Sequence, residues 1–123
     1  MTNSAIIEKF IVGRVEPHIY AFETGTVPNY LKIGDTYRPV ETRLNEWRRY
    51  FVDLQKRYDE PATAGDEYFR DLSVHEYIIR EKGCKRLEKT TIPNIPYYSN
   101  EFFENATTDD VNEAIQENVT DQE

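Results

Sequence analysis

Two short runs of apolar and aromatic residues, separated by a turn-forming segment, constrain the fold of this 123-residue chain more than any other feature. Residues 19–22 (IYAF) are β-branched or aromatic and follow a proline, which is typical of a strand. Residues 23–29 are rich in Gly, Pro, Thr and Asn, which marks a connection. In residues 30–34 (YLKIG) the side chains alternate, placing Lys32 and Gly34 on one face of a second strand. Because the connection is short, the strands are predicted to form an antiparallel hairpin.

The segment after the hairpin has the pattern of an amphipathic helix. Pro39 suits a first helical turn, where its missing N–H is not needed, and the helix is predicted to run to about Tyr50. Its apolar positions recur at i, i+4, i+7 and i+11 and form one stripe: Val40, Leu44, Trp47 and Phe51. Arg43 flanks the stripe, and a partly buried guanidinium requires an anionic partner.

Later segments complete the predicted fold. Residues 51–59 alternate apolar and polar side chains, which indicates a third strand. Residues 66–82 are predicted to form the longest helix, ended by Gly83, and shorter helices are predicted at 5–12 and from Thr107. The apolar face assigned to the longest helix is Tyr68, Leu72, His75 and Ile79. The expected fold class is α/β of the α+β type: a small three-stranded antiparallel sheet flanked by helices.

Composition supports one folded domain, expected to span residues 1–118 with an acidic tail at 119–123. The chain is 38% hydrophobic and 13% aromatic, enough for a core. Its single cysteine, Cys84, allows no internal disulfide, and no apolar run is long enough to span a bilayer, so a cytoplasmic protein without membrane contact is expected. Basic neighbours could lower the pKa of the Cys84 thiol, although an incidental thiol near a helix end is the simpler reading.

The net charge of −8 argues against a nucleic-acid partner, but the charge is unevenly distributed. Basic residues are concentrated between positions 38 and 57, whereas the acidic excess lies elsewhere. If the domain binds DNA, Arg48 and Arg49, with Arg38 nearby, are the natural phosphate contacts. The alternative is an ordinary solvated helix face.

The predicted hairpin and the start of the helix that follows it resemble the GIY-YIG nuclease superfamily. The first motif corresponds to His18-Ile19-Tyr20 and the second to Lys32-Ile33-Gly34, and Arg43 follows early in the next helix. His18 stands where the family usually has glycine, and Lys32 where it has its second tyrosine. The resemblance implies a GIY-YIG-like fold and a metal-dependent DNA endonuclease.

Two further residues extend the resemblance. Glu101 precedes an aromatic pair, where the family has a glutamate that holds its single divalent metal; from the residues alone, Glu101 reads as a carboxylate in a first helical turn. Many members carry a histidine that reaches the catalytic face from the helix of His75, whereas spacing alone makes His75 a satisfied core residue. The series Glu67, Asp71 and His75 suggests either a metal site or, more commonly, an exposed charged flank.

The resemblance also assigns roles. Tyr20 would deprotonate the attacking water with help from His75, Arg43 would hold the scissile phosphate, and Glu101 would bind one Mg²⁺ or Mn²⁺ ion. Lys32 could bind phosphate but could not act as a phenolic acid or base. DNA is the expected partner, and a fused or associated DNA-targeting or helicase domain is expected in a longer natural chain.

Other functions stay open at this point. The same scaffold could serve as a catalytically impaired nucleic-acid-binding or interaction module, which the acidic charge and Lys32 favour. A third interpretation is an acidic protein–protein adaptor without DNA affinity. Tyr97 and Tyr98, in a loop with two prolines, could pack on the domain or offer a stacking surface to nucleotides.

Overall fold

The computed structural model describes residues 16–64 and 67–122, which form an α+β fold with seven strands and three helices. The helix predicted at 5–12 lies outside the described residues. The strands are β1 (His18–Glu23), β2 (Tyr30–Thr36), β3 (Gln55–Pro61), β4 (Thr63–Ala64), β5 (Glu67–Tyr68), β6 (Lys85–Arg86) and β7 (Phe102–Glu104). The helices are α1 (Val40–Trp47), α2 (Asp71–Lys82) and α3 (Thr108–Gln122).

The predicted hairpin forms the centre of an antiparallel sheet with the strand order β3-β1-β2-β7-β6. In the hairpin register, Tyr20 lies opposite Gly34 and Phe22 opposite Lys32. The prediction of three strands is therefore wrong, because the described sheet has five. Strands β6 and β7 contain only two and three residues, too few to show an alternating pattern, and their pairing depends on neighbours distant in the sequence.

Each face of the sheet carries its own hydrophobic core. Leu31 and Ile33 pack with side chains of α2 and α3 on one face. Tyr20, Phe22 and Trp47 belong to the second core, which covers the other face under α1. Lys32 also lies on the α1 face, so the predicted alternation along β2 is confirmed.

Helix α1 places its apolar stripe as predicted, but it ends earlier. Val40, Leu44, Trp47 and Phe51 are all buried, and Pro39 stands immediately before the first helical residue. The helix stops at Trp47 rather than near Tyr50, and turns carry the chain to β3. The prediction of a strand from residue 51 is wrong at its start, since a bond from the Leu54 amide to the Phe51 carbonyl closes a turn there.

Helix α2 begins at Asp71 rather than at residue 66, and its predicted apolar face is wrong. Tyr68, Leu72 and Ile79 are exposed, whereas the buried residues are Asp71, Val74, His75 and Ile78. The start is fixed from outside the local sequence: the Asp35 carboxylate accepts a hydrogen bond of 3.0 Å from the Asp71 amide. The predicted end is confirmed, because Gly83 takes the left-handed conformation with φ of 67°.

The expectation of a first helical turn at Glu101 also differs from the structure. The residues after Glu101 form β7, paired with β2, and not a first helical turn. Helix α3 follows, spanning Thr108–Gln122. Cys84 is buried, and burial raises the pKa of its thiol, which contradicts the suggestion of an activated cysteine.

Candidate active site

The phenol of Tyr20 is held under α1 by two nitrogen donors. Trp47 Nε1 donates a hydrogen bond of 2.8 Å to the Tyr20 hydroxyl oxygen. Lys32 Nζ donates a second bond, of 3.2 Å, to the same oxygen. Tyr20 is 1% exposed and Lys32 is fully buried. The hydroxyl oxygen therefore accepts both bonds, and its own proton remains to be donated to a further group.

Gly34 makes this approach possible because it has no side chain. A Cβ at this position would lie 2.7 Å from Lys32 Nζ and 2.8 Å from the Tyr20 hydroxyl oxygen, closer than real Cβ atoms come. The Gly34 backbone therefore lies directly beside the Lys32 ammonium and the Tyr20 hydroxyl group. This contact gives a physical reason for a glycine at position 34.

The Lys32 ammonium also pairs with the carboxylate of Glu101, which stands just before β7. The main chain fixes Glu101 in place, because its carbonyl accepts a hydrogen bond of 2.9 Å from the Ile33 amide. Burial opposes the charge of Glu101, but interactions with Lys32 and Asp71 outweigh it and hold the pKa below its ordinary value. A buried ammonium requires such a partner.

Three potential metal ligands meet at the edge of β2. One ligand atom from each of Asp71, His75 and Glu101 lies within 4.8 Å of the others. Burial, followed by the hydrogen bond and charge of Glu101, raises the pKa of Asp71 to about 8. At neutral pH, Asp71 therefore holds the proton between the two carboxyl groups, and Glu101 is left to pair with Lys32.

His75 is both a packed residue and a member of this cluster. Its Nε2 lies 2.8 Å from the Ile33 carbonyl oxygen, and its ring centroid lies 4.7 Å from that of Phe103. Burial lowers the pKa of His75, so the ring is neutral near pH 7. In this neutral ring Nε2–H donates to the Ile33 carbonyl, and because Nε2 is also the ring nitrogen 3.8 Å from an Asp71 carboxylate oxygen, it could bind a metal ion only if that hydrogen bond is released.

Arg43 lies on the same side of the sheet as Tyr20. Its guanidinium carbon is 4.8 Å from the Trp47 ring centroid, and its Nη1 lies 2.9 Å from a carboxylate oxygen of Glu46. Burial opposes the charge of Arg43, but interactions with Tyr20 and Glu46 outweigh it and raise the pKa. Arg43 and Glu101 line one hollow of about 430 Å³, large enough for a phosphate group.

The remaining predicted contacts lie just before α1 and directly after it. Arg38 makes two hydrogen bonds of 2.7 Å to Glu46, and Arg48 lies 3.6 Å from Glu41. Arg49 lines a separate hollow beside Tyr97. Two of the three predicted phosphate contacts therefore already have acidic partners.

A comparison with known protein families identifies the family of the chain. A family model described as the T5orf172 domain matches residues 17–119 of the chain. The chain belongs to the T5orf172 domain family. This family is related to the GIY-YIG domains and is nuclease-like, which supports the predicted resemblance at the level of the family. Neither the curated proteins nor the solved structures provide a match.

Sequence reasoning missed two long-range contacts of the site in this T5orf172 domain. Asp71 was grouped with His75 by helical spacing, but the pattern gave no reason to place Glu101 beside them. The sequence patterns assign no role to Asp35, yet its carboxylate lies 2.5 Å from Arg70 Nε in addition to capping α2. Nothing local in the sequence signals either contact, since each joins residues at least 30 positions apart.

The donor set of this T5orf172 domain fits a divalent ion. Two carboxylates and an imidazole suit Mn²⁺ and, through their oxygens, Mg²⁺. Binding of such an ion would require loss of the Asp71 proton and would place the ion near the Lys32 ammonium.

In the described part of the chain, no helix has the length and hydropathy needed to cross a bilayer.

Proposed function

We propose that this T5orf172 domain is a metal-dependent endonuclease that hydrolyses DNA phosphodiester bonds. One observation carries the proposal: the Lys32 ammonium bonds to both Tyr20 and Glu101, so residues from three separate segments meet at one point. The family relationship gives independent support for nuclease-like chemistry. Fold alone would not suffice, because one scaffold can host several functions.

The side chains divide the work of phosphodiester hydrolysis. Arg43 binds a non-bridging oxygen of the scissile phosphate and stabilises the charge that builds up there. Tyr20 gives up its phenolic proton, to solvent or to the neutral ring of His75, and the phenolate then takes the proton of the attacking water. Lys32 supplies positive charge beside the phenol oxygen, in the place of a second phenol.

The carboxylates of Asp71 and Glu101, together with His75, would hold the divalent ion. When bound, such an ion acts as a Lewis acid on the phosphate and lowers the charge on the leaving oxygen. Two backbone contacts would position the ligands of the ion. The Glu101 carbonyl accepts a hydrogen bond from β2, and the Asp71 amide donates one to the Asp35 carboxylate that caps α2.

A plasmid-nicking assay with Mg²⁺ or Mn²⁺ tests the proposal. The wild type converts supercoiled DNA to the nicked form, and Glu101→Ala and Tyr20→Phe reduce the rate by at least about 100-fold. Glu104→Ala is the matched control, because it removes a carboxylate from the strand β7 that directly follows Glu101 and leaves the rate unchanged. An unchanged rate in Glu101→Ala would refute the assignment.

The burial of Tyr20 and Lys32 favours a second function, DNA binding without cleavage. Because Tyr20 and Lys32 are withdrawn from solvent and hydrogen-bonded together, the domain could bind DNA without cutting it. This catalytically impaired module predicts metal-independent DNA binding that Arg43→Ala weakens, with no nicked product from the wild type in Mn²⁺. Appearance of a nicked product that requires Glu101 decides for the enzyme.

A further inference from the structure

Beside the candidate active site, the end of α1 and the loop before β7 present two exposed aromatic rings. We define the aromatic shelf as Tyr50 and Tyr97, whose side chains are 41% and 42% exposed. Their ring centroids lie 4.6 Å apart, with 32° between the ring planes. Trp47 packs against the shelf: its ring and that of Tyr97 form an edge-to-face pair with 5.3 Å between the ring centroids.

The shelf is held in place before any ligand binds. Tyr97 follows Pro96 directly, and the next residue, Tyr98, donates a hydrogen bond of 2.7 Å to the Leu87 carbonyl. Trp47 is itself fixed by its bond to Tyr20. Rings fixed in this way lose little conformational freedom when a ligand stacks on them, which favours affinity.

The charge around the shelf suits a polyanion. A hollow of about 220 Å³ is lined by Tyr50 and Tyr97 together with Arg43, Glu46, Trp47 and Arg49. The single acidic group there, Glu46, is already paired with Arg38 and Arg43. Among the residues that the structure describes, Arg49 forms no ion pair, so its charge is available to a phosphate.

The shelf is continuous with the site of the proposed reaction. Arg43, Trp47 and Tyr97 line this hollow and also line the larger hollow that Glu101 enters. A nucleotide bound at the shelf would therefore adjoin the phosphate held by Arg43.

We propose that the aromatic shelf is a stacking subsite for an unpaired base of single-stranded DNA, next to the phosphate that Arg43 binds. The inference rests on the proposed function and deepens it. A base inside a duplex is covered on both faces by its neighbours, whereas an unpaired base presents a face to an exposed ring. Arg49 binds the phosphate that follows the stacked base. The domain therefore prefers single-stranded segments or frayed ends to continuous duplex.

Binding measurements on the full chain in EDTA test the subsite without any cleavage. A short single-stranded oligonucleotide carrying 2-aminopurine and its blunt duplex are compared by fluorescence anisotropy and by quenching. Tyr50→Ala and Tyr97→Ala weaken single-strand binding by about 5- to 100-fold and abolish the quenching, with less than about twofold effect on the duplex. Tyr97→Phe retains binding because the ring remains. Tyr68→Ala removes an exposed tyrosine on β5 and leaves both affinities unchanged.

The proposal is overturned if both alanine variants leave single-strand binding intact, or if they weaken single-strand and duplex binding equally. Tyr97→Leu guards against a folding artefact, because it keeps apolar bulk on the loop and still loses the quenching. The two proposals can fail separately. Nicking by the wild type without single-strand preference removes the subsite alone, whereas Tyr97-dependent stacking without nicking removes the nuclease and retains the subsite.

Discussion

At the scale of single residues, Gly34 controls how close Lys32 and Tyr20 can come. Gly34→Ala would place a methyl group within 3 Å of both, so we expect unfolding free energy to fall by about 1–3 kcal/mol and nicking by about 100-fold. Chemical denaturation and the plasmid assay measure the two effects.

Gly83→Ala is the control for this substitution. Its Cβ would meet nothing within 4 Å, but φ is 67°, so the variant loses about 1–2 kcal/mol of stability through backbone strain alone and keeps its nicking activity. Equal effects of the two substitutions on nicking would show that Gly34 has no special place in the site.

Lys32 has opposite effects on the fold and on metal binding. Lys32→Met leaves Glu101 without its partner, and we expect a loss of about 2 kcal/mol in stability, moderated because the Glu101 side chain is 28% exposed. In this variant no ammonium competes with Mn²⁺ for the Glu101 carboxylate. The affinity for Mn²⁺ therefore rises by about tenfold.

Isothermal titration calorimetry with Mn²⁺ measures this change, and the exposed Lys85→Met serves as the control. Weaker Mn²⁺ binding in Lys32→Met would mean that the lysine organises the carboxylates rather than opposing the ion.

At the scale of elements, Asp35 sets where α2 begins. Asp35→Ala removes the acceptor for the Asp71 amide, and we expect a loss of about 1 kcal/mol in urea denaturation. Asp35→Asn retains an oxygen at the cap and restores most of that loss. If Asn is as damaging as Ala, the ion pair with the exposed Arg70, and not the cap, is the contact that matters.

Helix α1 is tied to the preceding turn by Glu46, and this contact depends on pH. Hydrogen bonds from Arg38 and then Arg43 lower the pKa of Glu46 to about 2, from 4.5. Because the folded-state pKa is the lower one, the stabilisation is complete above pH 4.5 and is lost as the pH falls towards 2.

The stability difference between the wild type and Glu46→Gln is therefore constant above pH 4.5 and disappears in acid. The groups are partly exposed, so solvent screening limits the difference to about 1 kcal/mol. Denaturation curves between pH 2 and 7 measure it. Glu41→Gln, whose carboxylate is 60% exposed, gives a smaller difference; a Glu46 difference that persists at pH 2 would contradict the ion-pair explanation.

At the scale of the whole molecule, a bound ion stabilises the fold by mass action. At Mn²⁺ concentrations of about 100 times the dissociation constant, we expect about 2.7 kcal/mol of added stability and a higher Tm, reversed by EDTA. Asp71→Asn and Glu101→Gln abolish the shift, whereas Glu104→Gln retains it.

The net charge of −8 makes a control with another ion necessary, since any divalent cation screens acidic side chains. Na⁺ at equal ionic strength should reproduce only the small nonspecific part. An equal Tm shift in wild type and Asp71→Asn would place the ion elsewhere.

The sequence by itself determined the hairpin, the apolar stripe of α1, the end of α2 at Gly83 and the family resemblance. These features are local: alternation in a strand, helical periodicity and a left-handed cap each depend on residues a few positions apart. The order of Tyr20, Lys32, Arg43, His75 and Glu101 along the chain also named the candidate side chains.

Only the tertiary structure decided which of these side chains meet. Asp71 joins Glu101, Asp35 caps a helix 36 positions later, and β7 pairs with β2 because the sheet brings distant segments together. The buried face of α2 was predicted correctly only at His75. Polar Asp71 points inward towards partners that helical periodicity does not reveal, whereas Tyr68, Leu72 and Ile79 are exposed. Local sequence patterns determine the helices and strands, whereas long-range pairing of buried polar groups determines which side chains form the site.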